Sequence, residues 1–491
     1  MQETKENEVT AQEKNTVINV NPNAINGQDK CPSCGSTDIS LNPATGLLRC
    51  NFCRHELPAD LVQDLDLAGL EGDNTGMGAQ DINGDAQDTM ITLKCTSCGA
   101  EVVVDTKESA QARCHWCRNY LSINEQIPNG ATPDAVLPFK ITKEEAKEAI
   151  EKFVGKRTFY ALPKFKKEFK SENILGVYFP YLLVDIRAQA KFSGEAEKLI
   201  RQYFVRSGKH TVTYYDADLY KVSRNFEILV DDLAIEASKD KLSYTATKTN
   251  NIINSIMPFD TENCVHWNAN YLRGFTSEKR DINKASVQDT VSLQLEDVAR
   301  FGINSTLAQY NRGVRWSTVS VDLVGQQWKA TYLPVWLYSY QQEKMSGQMI
   351  HYLALNARTK EVMGSVPLNT FRLFMVSASL EALSVFFWWI YLIDQDAGWI
   401  VMTIGFIYYA LIYARYRNSN VRHYHEKETK KEVKDVQGED HFLSHRYRLR
   451  SSKIQGANNH DVKGASGKRG LSTQILESLD GQNDDGQPFL P

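Results

Sequence analysis

Ile174-Leu-Gly-Val-Tyr178-Phe-Pro180-Tyr-Leu-Leu-Val184 and Trp328-Lys-Ala-Thr-Tyr332-Leu-Pro334-Val-Trp336-Leu-Tyr338 carry the same Tyr-x-Pro, with the two tyrosines 154 residues apart. Further on, Ser193-Gly194 is answered by Ser346-Gly347. Short apolar runs rich in aromatic and β-branched residues read as buried strands. Because proline cannot donate to a sheet ladder, each Tyr-x-Pro is expected at a strand start, an edge or a bulge. The echo predicts a β-rich domain over 136–367 built from two related halves. Around it, Thr142-Lys-Glu-Glu145 is a capping box followed by Ala146, Ala149, Ile150 and Phe153 at helical spacing, which predicts a helix over 142–154. A second helix is expected within 285–310, with Val291, Leu295 and Val298 on one face. His351–Asn356 and Lys360–Val366, joined by Ala357-Arg358-Thr359, read as a closing hairpin.

Eight of the nine cysteines precede this domain. Cys31-Pro-Ser-Cys34 is followed after 15 residues by Cys50-Asn-Phe-Cys53, and Cys95-Thr-Ser-Cys98 after 15 residues by Cys114-His-Trp-Cys117. A CxxC turn places two thiolates on one ion, and a second turn completes the tetrahedral shell that Zn2+ accepts. The spacing predicts two structural zinc ribbons, over 30–57 and 93–122, each holding one ion. Gly35 and Gly99 stand where such a turn calls for positive φ. Segments this short cannot bury enough surface to fold without the metal. Four thiolates leave no open position for a substrate, so hydrolysis at the metal is disfavoured. His115, inside the Cys114–Cys117 knuckle, and His55, just past Cys53, are weaker alternative ligands. Cys264, two residues from His266, is expected to be structural because nothing nearby in the sequence orients the imidazole as a base.

The 491 residues hold 56 Lys and Arg against 60 Asp and Glu, a net charge of −4, which excludes a uniformly basic nucleic-acid binder. That balance conceals a cancellation. Residues 58–92 carry eight acids and, up to 89, no Lys or Arg, and read as an acidic flexible linker. Residues 415–470 carry fourteen Lys or Arg against seven acids. With 1–29, the segment 416–491 is expected to be disordered, its basic part held near anionic membrane lipid.

The mean hydropathy of −0.41 likewise hides two apolar runs, 373–393 and 397–414, within a predicted transmembrane helical hairpin over 372–415. Arg372 precedes the first run, and Arg415, Arg417 and Arg422 follow the second, while the connection Asp394-Gln-Asp396 has no positive charge. The positive-inside rule then places both termini in the cytoplasm of a two-span, multi-pass protein. No export signal opens the chain. Glu381 in the first run and Tyr409 in the second lie fourteen residues on either side of Gln395. A tight hairpin would bring them to one depth, where a protonated or tyrosine-bonded Glu381 would specify packing within the hairpin or between protomers of a homo-oligomer.

The fold class expected is therefore α+β, with two small four-cysteine zinc ribbons, a β-rich two-repeat domain and a membrane hairpin. The ribbons resemble rubredoxin-like or TFIIB-type zinc ribbons. Leu137-Pro-Phe-Lys140, Gly176-Val-Tyr-Phe-Pro180, Tyr271-Leu-Arg-Gly274-Phe and Leu333-Pro-Val-Trp336-Leu occur in an order similar to the YdjG-like family of bacterial membrane-anchored zinc-ribbon proteins. In the last hairpin that family often carries Asn-Gly-x-Thr-Gly, where this chain has Asn356-Ala-Arg-Thr359-Lys360. The resemblance implies a membrane-anchored adaptor that recruits a phage-shock-protein-A-like or flotillin-like partner in envelope stress. The rival is a membrane-tethered nucleic-acid-binding ribbon protein, disfavoured because the acidic linker would repel phosphates. No HExxH, GxSxG or phosphate-cradling GxxxxGK[ST] motif points to an enzyme.

Overall fold

The computed structural model describes residues 31–36, 38–63, 65–80, 90–94, 101–105, 126–127, 133–207, 210–238, 256–344, 347–391, 403–417 and 429–449. In chain order, strands β1 (Ile39–Asn42) and β2 (Leu47–Cys50) form a hairpin of their own. Strands β3 (Gly72–Thr75), β4 (Met90–Lys94), β5 (Glu101–Asp105), β6 (Gln126–Ile127) and β7 (Ala135–Val136) lead to helices α1 (Lys143–Gly155) and α2 (Pro163–Glu168). The long strands β8 (Leu175–Ser207) and β9 (His210–Glu236) follow, then β10 (Val265–His266), β11 (Thr276–Glu278) and helix α3 (Lys284–Gly302). Strands β12 (Gly313–Lys344), β13 (Gly347–Asn356) and β14 (Val362–Gly364) precede helices α4 (Thr370–Tyr391) and α5 (Ile404–Arg417) and strand β15 (Lys430–Leu449). The fold is mixed α and β, and mostly sheet.

β8 and β12 run antiparallel, and the echoed motifs meet at their pairing: Pro180 lies opposite Tyr332, and Tyr178 opposite Pro334. Both prolines sit inside strands, contrary to the expectation of an edge or start. Each sits where the ladder on its other side ends. Ala237 donates to the Pro180 carbonyl and Ala357 to the Pro334 carbonyl, each at 3.2 Å. The oxygen of Ala237 accepts instead from Asp281 and Ile282, and that of Ala357 from Lys140 and Ile141. Neither missing proline N–H therefore leaves an acceptor unmet.

The same exchange recurs on both Tyr-x-Pro strands. β7 runs parallel to β12 with Ala135 opposite Thr331, and β11 runs parallel to β8 with Thr276 opposite Val177. Ile141 and Ile282 then enter α1 and α3. The strand before each helix thus pairs with the Tyr-x-Pro strand that lies farther from it in sequence. The Ser-Gly echo marks where they diverge. Gly194 lies within β8, where a Cβ would stand 2.3 Å from the Arg315 oxygen, whereas Gly347 opens β13.

β8 is buried on both faces from Val177 to Ile186 and then alternates, because α3 covers only one face beyond that point. Val287, Val291, Leu295 and Val298 pack on Ala188, Phe192, Phe226 and Trp328. α1 has both hydrogen bonds of its capping box, Glu145 N to Thr142 Oγ1 and Thr142 N to Glu145 Oε2. The closing hairpin also forms: Lys360 adopts φ +65° where the resembled family has glycine, and Asn356 Oδ1 accepts from the N–H groups of Arg358 and Thr359.

Two segments expected to be loose are fastened to this sheet. In the acidic linker, β3 pairs with β12 at Gly325–Trp328, and Leu70 and Ala79 are buried. Gly325 permits the approach, since a Cβ there would lie 2.4 Å from the Leu70 oxygen. Lys284 binds Asp73, and Arg280 reaches the carbonyls of Gly78 and Gln80, so cations 200 residues away in sequence meet the linker's polar groups. Residues 81–89 lie outside the described residues. In the tail, β15 pairs along β9 from Lys430 opposite Asp231 to Leu449 opposite Tyr214. Arg224 binds Asp440 at 2.6 Å, and His445 stands 2.5 Å from Asp216 and 2.7 Å from Asp218. The expectation of disorder over 416–491 is corrected at 430–449; 1–29, 418–428 and 450–491 lie outside the described residues.

Candidate metal centre and membrane anchor

The first ribbon gathers its four thiols as the spacing predicts. β1 and β2 pair with Ile39 opposite Cys50, which returns the second knuckle to the first. In each knuckle the fifth residue's N–H bonds back to the first cysteine's carbonyl, Gly35 to Cys31 at 2.8 Å and Arg54 to Cys50 at 3.0 Å. Gly35 has φ +72°, as expected; Arg54 takes φ +66° at the corresponding place without being glycine. Sγ of Cys31 lies 3.5 Å from that of Cys53, and Sγ of Cys34 lies 3.6 Å from that of Cys50, with all four within 4.8 Å of one another. A tetrahedron of sulfurs about 2.3 Å from a metal has edges of about 3.8 Å. The cluster therefore fits one metal ion and is far too open for disulfides. The backbone N–H of Cys53, followed by that of Phe52, outweighs burial and pulls the Cys50 thiol down to about 6, whereas, against the Ser36 N–H, burial and the neighbouring thiols push Cys34 up to about 12.

This ribbon is not a free appendage. Ile39, Leu41, Leu48 and Cys50 share a core with Phe139, Tyr178, Tyr271 and Trp336. Phe139 stacks on Phe275 at 4.2 Å and meets Tyr178 and Trp336 edge-on, each at 5.0 Å. Arg273 reaches the Ile39 carbonyl at 2.8 Å. Cys95, Cys98, Cys114 and Cys117 lie outside the described residues. The strands around the first of these knuckles are described: β4 and β5 pair with Lys94 opposite Glu101, and β5 joins β11. Cys264 is buried, and burial raises its thiol well above the usual range, unlike an activated nucleophile. His266 is exposed.

Sequence reasoning missed a second cluster, Asp185, Asp231 and Asp232. Asp185 occupies a bulge in β8 and accepts from Asp232 N–H at 2.9 Å; Lys329 Nζ lies 2.9 Å from Asp185 and 3.4 Å from Asp232. Burial pushes the Asp185 carboxyl up despite Lys329. Lys329 stays above its usual range through Asp232 and Asp185, against the effect of burial. The cation position is thus taken by a lysine. A lone acid inside the apolar run 177–186 was the available signal.

α4 is the one described helix long and apolar enough to cross a membrane, over Thr370–Trp388. Most of its side chains face outward, Leu373 and Ser377 apart: Phe371, Phe374, Leu383, Phe386 and Phe387 are all more than half exposed. A soluble core helix would bury them, and a helix apolar on every side suits lipid. α5 has 14 residues, about 21 Å of rise, against roughly 30 Å of hydrocarbon, and residues 392–402 of the expected hairpin lie outside the described residues. Glu381 is bonded, but not to Tyr409: its Oε2 accepts from the Gly405 N–H at 2.7 Å, in the first turn of α5, while Tyr409 stacks on Tyr413. Only a tight turn at Gln395 would bring the two to one depth, and α5 starts at Ile404. Gly405 allows the contact, since a Cβ there would lie 2.4 Å from the Ser377 carbonyl oxygen.

Compared with known proteins, the chain is 23% identical over 349 residues to an uncharacterized protein, YdjG, of Bacillus subtilis (strain 168), spanning 69% of this chain and 90% of that protein. No family model matches, and no solved structure matches.

Proposed function

We propose that the protein is a non-enzymatic, membrane-anchored adaptor that presents a metal-stapled surface to partner proteins. The observation that carries this reading is the continuous packing from the thiol cluster through the sheet to the apolar helix. The ribbon shares the core of α1 and β8, and residues 157–162 of that same domain hold the membrane segment. Leu162 donates to the Pro367 carbonyl at 2.9 Å, Asn369 to that of Tyr160 at 2.7 Å, and Tyr416 Oη to that of Arg157 at 2.7 Å. Whatever binds the ribbon is thereby fixed relative to the bilayer.

In this reading Zn2+ fills the Cys31, Cys34, Cys50 and Cys53 site, and a second Zn2+ the Cys95, Cys98, Cys114 and Cys117 set. α4 and the run ending in α5 are two spans with both termini cytoplasmic, and the zinc-ribbon resemblance extends to a YdjG-like adaptor. The partner is a phage-shock-protein-A-like or flotillin-like protein recruited in envelope stress. Affinity capture from crosslinked membranes tests this. The wild type should retain the partner, and a Cys50→Ser, Cys53→Ser variant that still reaches the membrane should lose it. Equal capture by both would remove the ribbon as the docking element.

A further inference from the structure

A cavity of about 750 Å3 opens where the soluble domain meets the membrane segment. Its cations come from two elements: Lys152, Lys156 and Arg157 at the end of α1, and Lys360 from the turn before β14. No carboxylate is among its lining residues. Its apolar wall includes Phe153 and, from α5, Ile412 and Tyr416. Lysines at a helix C-terminus complement the helix dipole in any protein. That ordinary role does not account for an apolar wall supplied by a membrane-proximal helix, nor for the positive charge arriving from a second element.

The surroundings place this cavity at headgroup level. Tyr160 Oη lies 2.7 Å from Tyr408 Oη, which ties the cavity rim to α5. The Arg372 guanidinium, in the first turn of α4, stacks over the exposed Phe159 ring at 4.3 Å. Residues 152–170 carry seven Lys or Arg against one acid, Glu168. Lys152 and Lys156 are exposed, Lys360 also pairs with Glu145 at 2.6 Å, and the Arg157 guanidinium is held over the Phe153 ring at 3.6 Å. Cations above an apolar wall beside a lipid-facing helix match one occupant, an amphiphile with an anionic head and an acyl tail.

We infer that this cavity binds the headgroup of an anionic phospholipid drawn from the adjoining bilayer, its phosphate met by Lys152, Lys156 and Lys360 and its upper acyl chain lying along Ile412. The inference rests on reading α4 as a membrane span. A bound lipid would set the orientation of the domain on the membrane surface and make docking depend on anionic lipid content.

The test uses full-length protein, delipidated in maltoside micelles and titrated with phosphatidylglycerol or phosphatidylcholine, with bound lipid counted by native mass spectrometry. Phosphatidylglycerol should bind at one saturable site about ten-fold more tightly than phosphatidylcholine. Lys152→Gln with Lys156→Gln should weaken phosphatidylglycerol by on the order of ten-fold and leave phosphatidylcholine unchanged. Lys152→Arg with Lys156→Arg should restore it. Equal affinity for the two lipids, or no response to the glutamine pair, would overturn the site. So would glycerol 3-phosphate competing as effectively as the lipid. Alkaline carbonate extraction of membranes separates the two failures: protein released in soluble form overturns the span and the site together, whereas retained protein with unchanged lipid binding overturns the site alone.

Discussion

Two clusters among the described residues gather acidic ligands around a cation position, and they differ in what stands beside it. Around Cys31, Cys34, Cys50 and Cys53 the four sulfurs stand at metal-shell spacing. Around Asp185, Asp231 and Asp232 the chain brings its own cation, Lys329. Glu381 shows a third arrangement, a carboxylate in an apolar helix met by one peptide N–H. What the surroundings supply, rather than the number of acidic ligands, separates the cluster that could hold a metal ion from the one already neutralised by a lysine.

Each arrangement can be broken separately. The largest effect belongs to the thiols. Structural zinc in small ribbons contributes on the order of 10 kcal/mol to folding, so Cys50→Ser with Cys53→Ser should unfold residues 31–57, read as loss of hydrogen-exchange protection there. Because Ile39, Leu41 and Leu48 share a core with Phe139 and Trp336, protection should also fall around α1. Retained protection in both regions would separate the ribbon's fold from its metal.

Next is Lys329→Met. It leaves Asp185, 1% exposed, without its counter-ion and should cost about 3–5 kcal/mol in denaturant unfolding. Lys329→Met combined with Asp185→Asn should recover most of that loss. If the double variant is no better than the single, the two residues are not coupled.

Glu381→Leu removes the acceptor of the Gly405 N–H and should lower stability in detergent by about 1–3 kcal/mol. Tyr409→Phe should have no such effect, since the Glu381 hydrogen bond is to Gly405 and Tyr409 stacks on Tyr413. An unchanged melting temperature and oligomer size for Glu381→Leu would remove its packing role.

The smallest effect is a pH dependence. Burial, then Asp232 and Asp185, raise Asp231 to about 6 from the usual 3.8. A raised folded-state value means that its contribution is fully present below about pH 4 and is lost as pH rises through 6. Asp231→Asn should therefore match the wild type near pH 4 and exceed it above pH 6. The side chain is 41% exposed, so solvent screening limits the gain to about 1 kcal/mol or less. A gain larger at pH 4 than at pH 8 would reverse the assignment.

Much of this was legible in the residues wherever side chains carry the pattern. The capping box at Thr142 and Glu145, the buried face of α3 and the hairpin around Asn356 each state their own geometry. The Tyr-x-Pro echo marked the two strands that pair, β8 and β12, though not how 135–141 and 276–282 cross onto them, because that exchange runs through the backbone groups of Ala237 and Ala357. The docking of 60–80 and of β15 was hidden for the same reason. Strand addition is written in N–H and C=O groups that every residue shares, and the charges meeting Asp73 and Asp440 come from Lys284 and Arg224, far along the chain. Asp185 could be noticed in its apolar run, but its partner Lys329 was visible only once β8 and β12 were paired.

A closed four-thiolate zinc site in a membrane-anchored domain, as proposed, should be visible by elemental analysis of the purified full-length protein beside its Cys50→Ser, Cys53→Ser variant. The wild type should carry about two zinc ions per chain, falling to about one in the variant while the second set keeps its ion. An identical zinc content in both proteins would contradict it.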